Sequence, residues 1–367
     1  MLKRLLIFGT LLLSLMPLSA QQKTYKEKQN YKNWVKLAPK FEDDFFKTEE
    51  AVRIGDNVLL YQLESGGWPK NIFMPAELSK EEIKKVKQAK KNVGESTIDN
   101  SATTTEIHYL SRLYLATGVD KYKDAAVAGI RYLLSGQYEN GGWPQFWPRA
   151  EGYYTHITYN DNAMVNLLIL LREIYEKKAP YTFVSDDVCK DARAAFDKGI
   201  ECILNTQIKK DGKLMVWCAQ HDEVTLLPAK ARAYELPSFS GSESYGIVKL
   251  LMSLPNPSQR IIDAIEGAVA WFEASRIEGI GYQFFTNEEG KKDYRMVPCP
   301  EGEKCPPLWA RFYTLEDNRP FFCGRDGVMK FDVSEIEYER RTGYSWYNGN
   351  GEKLQRDYQK WKKKMSK

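Results

Sequence analysis

The chain has 367 residues, 43% of them hydrophobic and 13% aromatic, with 53 Lys+Arg against 49 Asp+Glu. That is apolar material for one large core or two small ones, and a charge too even for nucleic acid to be recognised by a bulk basic field. Only three histidines occur, His108, His156 and His221, and no cysteine spacing is of zinc type, so a zinc site or a Ser-His-Asp triad is not expected.

Residues 1–20 read as a secretory signal, with Lys3 and Arg4 before the apolar run Leu5–Leu15 and small residues at Ser19-Ala20. Leu18 is a poor fit before a cut after Ala20, so cleavage is expected there or a residue or two away. The run is too short to span a bilayer, and no other long apolar run follows it. The mature chain, with a net charge of +2 once Lys3 and Arg4 are removed, is expected to be a soluble monomer. It would be exported to a periplasm or beyond, without membrane insertion. Export permits disulfides, and Cys299 and Cys305 flank a short loop that a bridge could close.

After a polar lead-in at 21–58, a main domain is expected over 59–350, followed by a basic helix or tail at 351–367. Within the domain a pattern recurs. Leu59-Leu60-Tyr61-Gln62 leads to Gly66-Gly67-Trp68-Pro69, Leu133-Leu134-Ser135-Gly136-Gln137 to Gly141-Gly142-Trp143-Pro144, and Ile203-Leu204-Asn205-Thr206-Gln207 to Gly212 and Trp217. Gly66 and Gly141 are 75 residues apart, Gly141 and Gly212 are 71 apart. Each unit ends a helix at a glycine turn, and a second helical pattern follows, such as Glu106, Tyr109, Leu110, Leu113 and Tyr114, or Met164, Leu167, Leu168, Leu171 and Ile174. The fold class expected is therefore mainly α, an (α/α)-type partial toroid of repeated helical hairpins with a loop-rich, partly β C-terminal region. An unrelated helical bundle with similar turns is the alternative. The Lys/Glu-rich stretch from Met74 to Asn92 has no counterpart in the second unit and reads as a surface insertion.

Asp99-Asn100 and Asp161-Asn162 stand at matching places, each before an apolar helical face. Alone, either would be a helix cap. Recurring at one end of a repeat, the two carboxylates suit a shared hard cation such as Ca²⁺. Farther along, Lys230, Arg232, Arg311, Arg319 and Arg325 gather in a loop-rich stretch with aromatics, and arginine's planar fork fits carboxylates. Salt bridges within the fold are the plainer reading of each. Trp68 and Trp143 either pack under their turns or offer stacking platforms for a sugar ring.

Several of these runs carry a resemblance. Gly66-Gly67-Trp68-Pro69-Lys70-Asn71, Thr97-Ile98-Asp99-Asn100, Ala102-Thr103, Tyr159-Asn160-Asp161, Trp217-Cys218-Ala219-Gln220-His221-Asp222, Leu236-Pro237-Ser238 and Arg325-Asp326-Gly327 resemble the pectate lyases of polysaccharide lyase family 10, from about Leu59 to Tyr347. The resemblance implies β-elimination on polygalacturonate and pectin oligosaccharides. It places Asp99 and Asp161 at a Ca²⁺ site with Asn100 nearby. Arg325 takes the position of the base, and Arg311 and Arg232 hold uronate carboxylates. Lys230, Arg319 and Trp68 are expected as further substrate contacts. A guanidinium base implies a strongly alkaline optimum, since its pKa lies above 12. The competing readings are a terpene-type cyclase, a non-catalytic uronan-binding protein, and a glycoside hydrolase with Asp99 and Asp161 as its two acids.

Overall fold

Four tryptophans mark the plan of the molecule by donating their indole N–H to a helix carbonyl: Trp68 to Val58 (2.7 Å), Trp143 to Leu133 (2.8 Å), Trp217 to Ile203 (2.7 Å) and Trp309 to Phe272 (2.7 Å). Three glutamines repeat a second device. The Gln62 amide donates to Gly66 and Ala125 carbonyls, that of Gln137 to Gly141 and Ala195, and that of Gln207 to Met215 and Ala264. Each glutamine closes its own turn and ties it to the helix of the next unit. In each case one acceptor is a turn carbonyl and the other a carbonyl within the neighbouring helix.

The structure, a computed structural model, describes residues 31–366. The expected signal, 1–20, and the first part of the lead-in lie outside the described residues. Helix α1 (Tyr31–Leu37) precedes α2 (Glu49–Tyr61), which Thr48 caps by accepting the Ala51 N–H. The charged stretch forms α3 (Lys80–Ala89), closed by a Ser79/Glu82 capping box and with no buried residue, hence a surface helix. Helix α4 (Thr104–Thr117) packs along α5 (Asp120–Ser135), and α6 (Ala163–Tyr175) along α7 (Asp186–Thr206). Helix α8 (Glu243–Met252) packs on α9 (Gln259–Ala274). Helices α10 (Tyr338–Gly343) and α11 (Asn350–Met365) end the chain, α11 lying against α8 and α9.

The expectation of a mainly α toroid with strand confined to the C-terminal region is corrected. Among the described residues, strands begin at Ile157 and form five small sheets between and after the helix pairs. Strand β1 (Ile157–Thr158) pairs antiparallel with β4 (Gln220–His221), and β2 (Lys209–Lys210) with β3 (Lys213–Leu214). Strand β5 (Phe239–Ser240) edges a four-stranded sheet with β9 (Phe312–Tyr313), β10 (Pro320–Cys323) and β11 (Met329–Lys330). Strand β8 (Trp309–Ala310) pairs with β12 (Tyr347–Asn348), and the long β6 (Ile280–Thr286) with β7 (Lys292–Pro298). The fold is thus a mixed one of helix and strand. Most of these strands are two residues long, too short to leave the period-two pattern that announces a strand.

The main core joins the helical pairs through residues such as Leu110, Leu167, Leu171, Ile203 and Ile247. A second core of Phe312, Phe321, Phe322, Trp346 and Tyr234 underlies the four-stranded sheet. Between the two, β5 and β9 bring the start of α8 against the residue that follows β8, Arg311.

Candidate functional site

Three helix beginnings stand in a row. A tight turn, Asp99–Ser101, precedes α4; a second, Asn160–Asn162, precedes α6; and Ser240-Gly241-Ser242 precedes α8, whose first residue is Glu243. The first turn packs on the second, and the second on α8. A Cβ at Gly246 would lie 2.0 Å from Asn162 Oδ1, so any larger residue there would displace the Asn162 side chain. The backbone is left-handed at Asn100, Ser101, Thr103, Asp161 and Asn162, with φ between 50° and 65°. For Asn and Asp this is ordinary; for the β-branched Thr103 it is strained, and strain of this kind collects at working sites.

Backbone bonds hold the first turn to both Gly-Gly-Trp segments. The Thr97 N–H donates to the Trp68 carbonyl (3.1 Å), and the Thr97 hydroxyl to that of Gln145 (2.6 Å). As a result the carboxylates are not used as caps. The residues preceding α4 and α6, Thr103 and Asn162, make no side-chain cap bond. Asp99 accepts the Asn100 N–H (3.0 Å) and the Lys70 ammonium (2.5 Å), and is buried. Asp161, with 43% of its side chain exposed, accepts the Asn160 amide (3.0 Å).

Arg311 reaches across the row. Its guanidinium lies 2.6 Å from Glu243 and 3.5 Å from Asp161, donates to Asn160 Oδ1 (3.2 Å), and stacks 4.4 Å from the Tyr344 ring centre. Burial opposes the Arg311 charge most strongly of any single influence, but the acidic groups around it, Glu243 first and then Tyr344, Asp161 and Glu235, together outweigh it and raise the pKa. Burial pushes the Glu243 carboxyl up in spite of Arg311 and the short bond from Ser240. The Tyr344 hydroxyl donates to Glu235 (3.0 Å), and Glu235 grips Arg232 through both oxygens, at 2.8 and 2.5 Å. Again burial opposes the Arg232 charge most strongly, and the bond and charge of Glu235, with Tyr344 and Tyr234 beside it, together override it and raise the pKa. Arg325 stands farther out. Its side chain is 63% exposed and held by Glu339 (3.0 Å), which also binds Arg340 (2.6 Å). Those two arginines hold the Glu339 carboxyl down at about 2. Arg340 in turn stacks on Tyr234 (4.6 Å) and Tyr344 (5.6 Å). Carboxylates, arginines and tyrosines thus alternate from Asp99 to Arg325.

The model of the family described as pectic acid lyase matches residues 62–355. The chain belongs to the pectic acid lyase family. Among solved structures, the family 10 polysaccharide lyase from Cellvibrio cellulosa is 37% identical over 89% of this chain and 95% of its own, with a TM-score of 0.73. A mutant of that lyase in complex with trigalaturonic acid is 36% identical over 89% of this chain and 96% of its own, also with a TM-score of 0.73. No match is found among curated proteins. The protein is a polysaccharide lyase of the pectate-cleaving type.

In this lyase the residues singled out from sequence fall into three groups. Asp99, Asn100, Asp161 and Arg311 lie together at the turns, Asn100 donating to Asn71 Oδ1 (3.3 Å), and Arg232 joins them through Glu235 and Tyr344. Arg325 joins only through Glu339 and Arg340. Arg319 and Lys230 are exposed and apart: the Arg319 guanidinium lies 3.7 Å over the Phe331 ring, and the Lys230 charge acts on buried Cys323. Trp68 as a stacking platform is corrected. It has no exposed surface, its N–H is taken by Val58, and its ring packs where a Cβ on Gly129 would go.

Lys70, Glu235, Glu243, Arg340 and Tyr344 were not legible as site residues. For Lys70 the signal was its place directly after Trp68-Pro69, and for Glu235 its place three residues after Arg232. A separate group, His156, Asp222 and Glu223, brings its ligand atoms within 4.8 Å of one another. There His156 is paired with Glu223 (2.9 Å), while one Asp222 oxygen closes a local turn on Val224 and Thr225.

Proposed function

We propose that this lyase is exported, acts as a monomer, and cleaves de-esterified polygalacturonate by Ca²⁺-assisted β-elimination at the row of helix beginnings. The observation that carries the reading is Arg311, buried across Asp161 and Glu243 with its Nε–H unpartnered. Elimination removes the proton next to a uronate carboxylate, and negative charge grows on that carboxylate. A guanidinium already fixed there stabilises the charge with no reorganisation. The oxygen donors around it suit a hard cation: Asp161 is half exposed, Asp99 already faces the Lys70 ammonium, and Gln145, which backs the Asp99 turn, has a buried Oε1 without a partner. Asp99 and Asp161, with Asn100 beside them, are the residues that would hold Ca²⁺, and bound there it would withdraw charge from the substrate carboxylate.

The base must sit within hydrogen-bond reach of the carbon beside that carboxylate. Arg232 shares Glu235 and Tyr344 with Arg311 and is better placed than Arg325, whose links are to Glu339 at the rim. Arg232 is therefore the proton acceptor in this reading, and Arg325 holds the carboxylate of a neighbouring sugar, with Lys230 and Arg319 farther along the chain's path. Glu235 keeps Arg232 in place but also keeps it protonated, which demands strongly alkaline conditions.

The test is the rise in ultraviolet absorbance of unsaturated product on polygalacturonate. We expect it to vanish with a calcium chelator. Arg232→Ala should lower kcat by about 10² to 10⁴, the usual contribution of a general base, whereas Arg325→Ala should act mainly on KM. The reverse ranking would return the base to Arg325, and saturated products would mean hydrolysis in place of elimination.

A further inference from the structure

We propose that the ribbon of β6 and β7 is a second, non-catalytic contact for anionic sugar polymer, outside the cleft that holds the reacting unit. The proposal rests on the lyase reading above and goes beyond it. The two strands pair over seven registers, from Ile280 opposite Pro298 to Thr286 opposite Lys292. From Gln283 outwards most of β6 is exposed. A lone two-stranded ribbon is marginal in water. This one is rooted by the Cys299–Cys305 disulfide beside Gly281 and by packing of Tyr294 and Met296 on the second core.

Along it, Phe284 is 73%, Phe285 41% and Tyr282 38% exposed. Large rings on a projecting ribbon are an unusual surface unless something covers them. Tyr282 and Phe284, two apart and so on one face, lie nearly parallel (9°) with centres 5.6 Å apart. On the other face the Arg295 guanidinium is 5.7 Å from the Phe285 ring and is steadied by Gln283 Oε1 at 2.6 Å. Among the described residues neither Arg295 nor Lys292 has an ion-pair partner.

Exposed aromatic faces suit the C–H face of a sugar, and an unpaired guanidinium suits its carboxylate. A second copy of the chain would set like cations against one another; a polyuronate satisfies rings and cations together. The ribbon is also connected to the site. The Tyr282 ring lies 6.2 Å from Tyr347 in β12, and the strand partner of β12, β8, runs directly into Arg311. Each strand is about 23 Å long, and a polymer held in the cleft has further sugar units to lay on the ribbon, which a trimer filling the cleft does not.

The test compares the wild type with a Phe284→Ala/Arg295→Ala variant, both side chains being exposed and outside either core. On long polygalacturonate we expect KM to rise about three- to tenfold, one ring contact or cation's worth. kcat should hold, and so should both constants on trigalacturonate. An unchanged polymer KM overturns the proposal, and so does an equal loss on the trimer. Sedimentation showing a wild-type dimer that the variant abolishes would assign the ribbon to a second copy and overturn it as well. If the wild type cleaves neither substrate, the lyase reading fails by itself; retardation of the two proteins in a gel containing polygalacturonate then still decides the ribbon.

Discussion

Arg311 and Arg232 carry the same charge into different settings. Arg311 is buried between two carboxylates and cannot leave them without stranding Glu243 in the interior, so it is fixed. Arg232 is less buried, gripped on one side by Glu235 and stacked 4.9 Å from the Tyr234 ring. The Glu235 carboxylate raises the Arg232 pKa because it favours the charged form. Replacing that carboxylate by an amide keeps the shape and removes the charge. Glu235→Gln should therefore lower the Arg232 pKa and enlarge the neutral fraction at any given pH. We expect the rise of kcat with pH to move to lower pH in this variant, while the melting temperature changes little in comparison. A profile that stays in place would mean that Arg232 is not the group whose deprotonation is being read.

At the scale of elements, the repeat positions the site by a backbone device. Gly141 has φ of +89°, and a Cβ there would lie 2.1 Å from the Lys198 carbonyl; Gly66, at +92°, meets the Ala128 carbonyl in the same manner. Gly141→Ala would push α5 and α7 apart at the point where Gln137 joins them. It should cost at least about 1–3 kcal/mol, the strain of a disallowed backbone alone, measurable by urea unfolding; activity should fall as the second turn shifts. The part of the fold that rests on such devices was legible. Gln62, Gly66 and Trp68, and their repeats, each do one job set by backbone geometry, and the spacing reports it. The third helix beginning was not legible as a counterpart of the first two, because it carries Glu243 behind Ser-Gly-Ser in place of Asp-Asn. Nor could sequence place Trp68, since an indole packed under a turn and one lining a cleft are spelled alike. Arg325 was read as central from its motif. Its distance from the turns is set by strands of two residues, which leave no pattern to read.

For the whole molecule, one buried acid makes stability fall between acid and neutral pH. Glu106, 2% exposed in the first turn of α4, accepts the Trp34 indole N–H at 2.8 Å on one oxygen and has no partner on the other. It therefore links α1 to the helix that carries the Asp99 turn. Burial pushes its carboxyl up to about 7 from an ordinary 4.5. Below about 4.5 it is protonated whether the chain is folded or not, and it has no effect on stability. Between 4.5 and 7 the unfolded chain releases the proton while the folded chain keeps it, so stability falls as pH rises; above 7 the loss is complete. The shift corresponds to about 3 kcal/mol. Burial holds His221 down at about 4, and so its loss of stability runs the opposite way, as pH falls below about 6.5. The two effects separate when Glu106→Gln is compared with wild type at each pH, since His221 is common to both. The amide keeps an acceptor for Trp34 and cannot ionise. We expect urea unfolding to find the variant more stable than wild type at pH 8 by about 3 kcal/mol, relative to their difference at pH 4. Curves that run parallel from pH 4 to pH 8 would show that Glu106 does not titrate in this range.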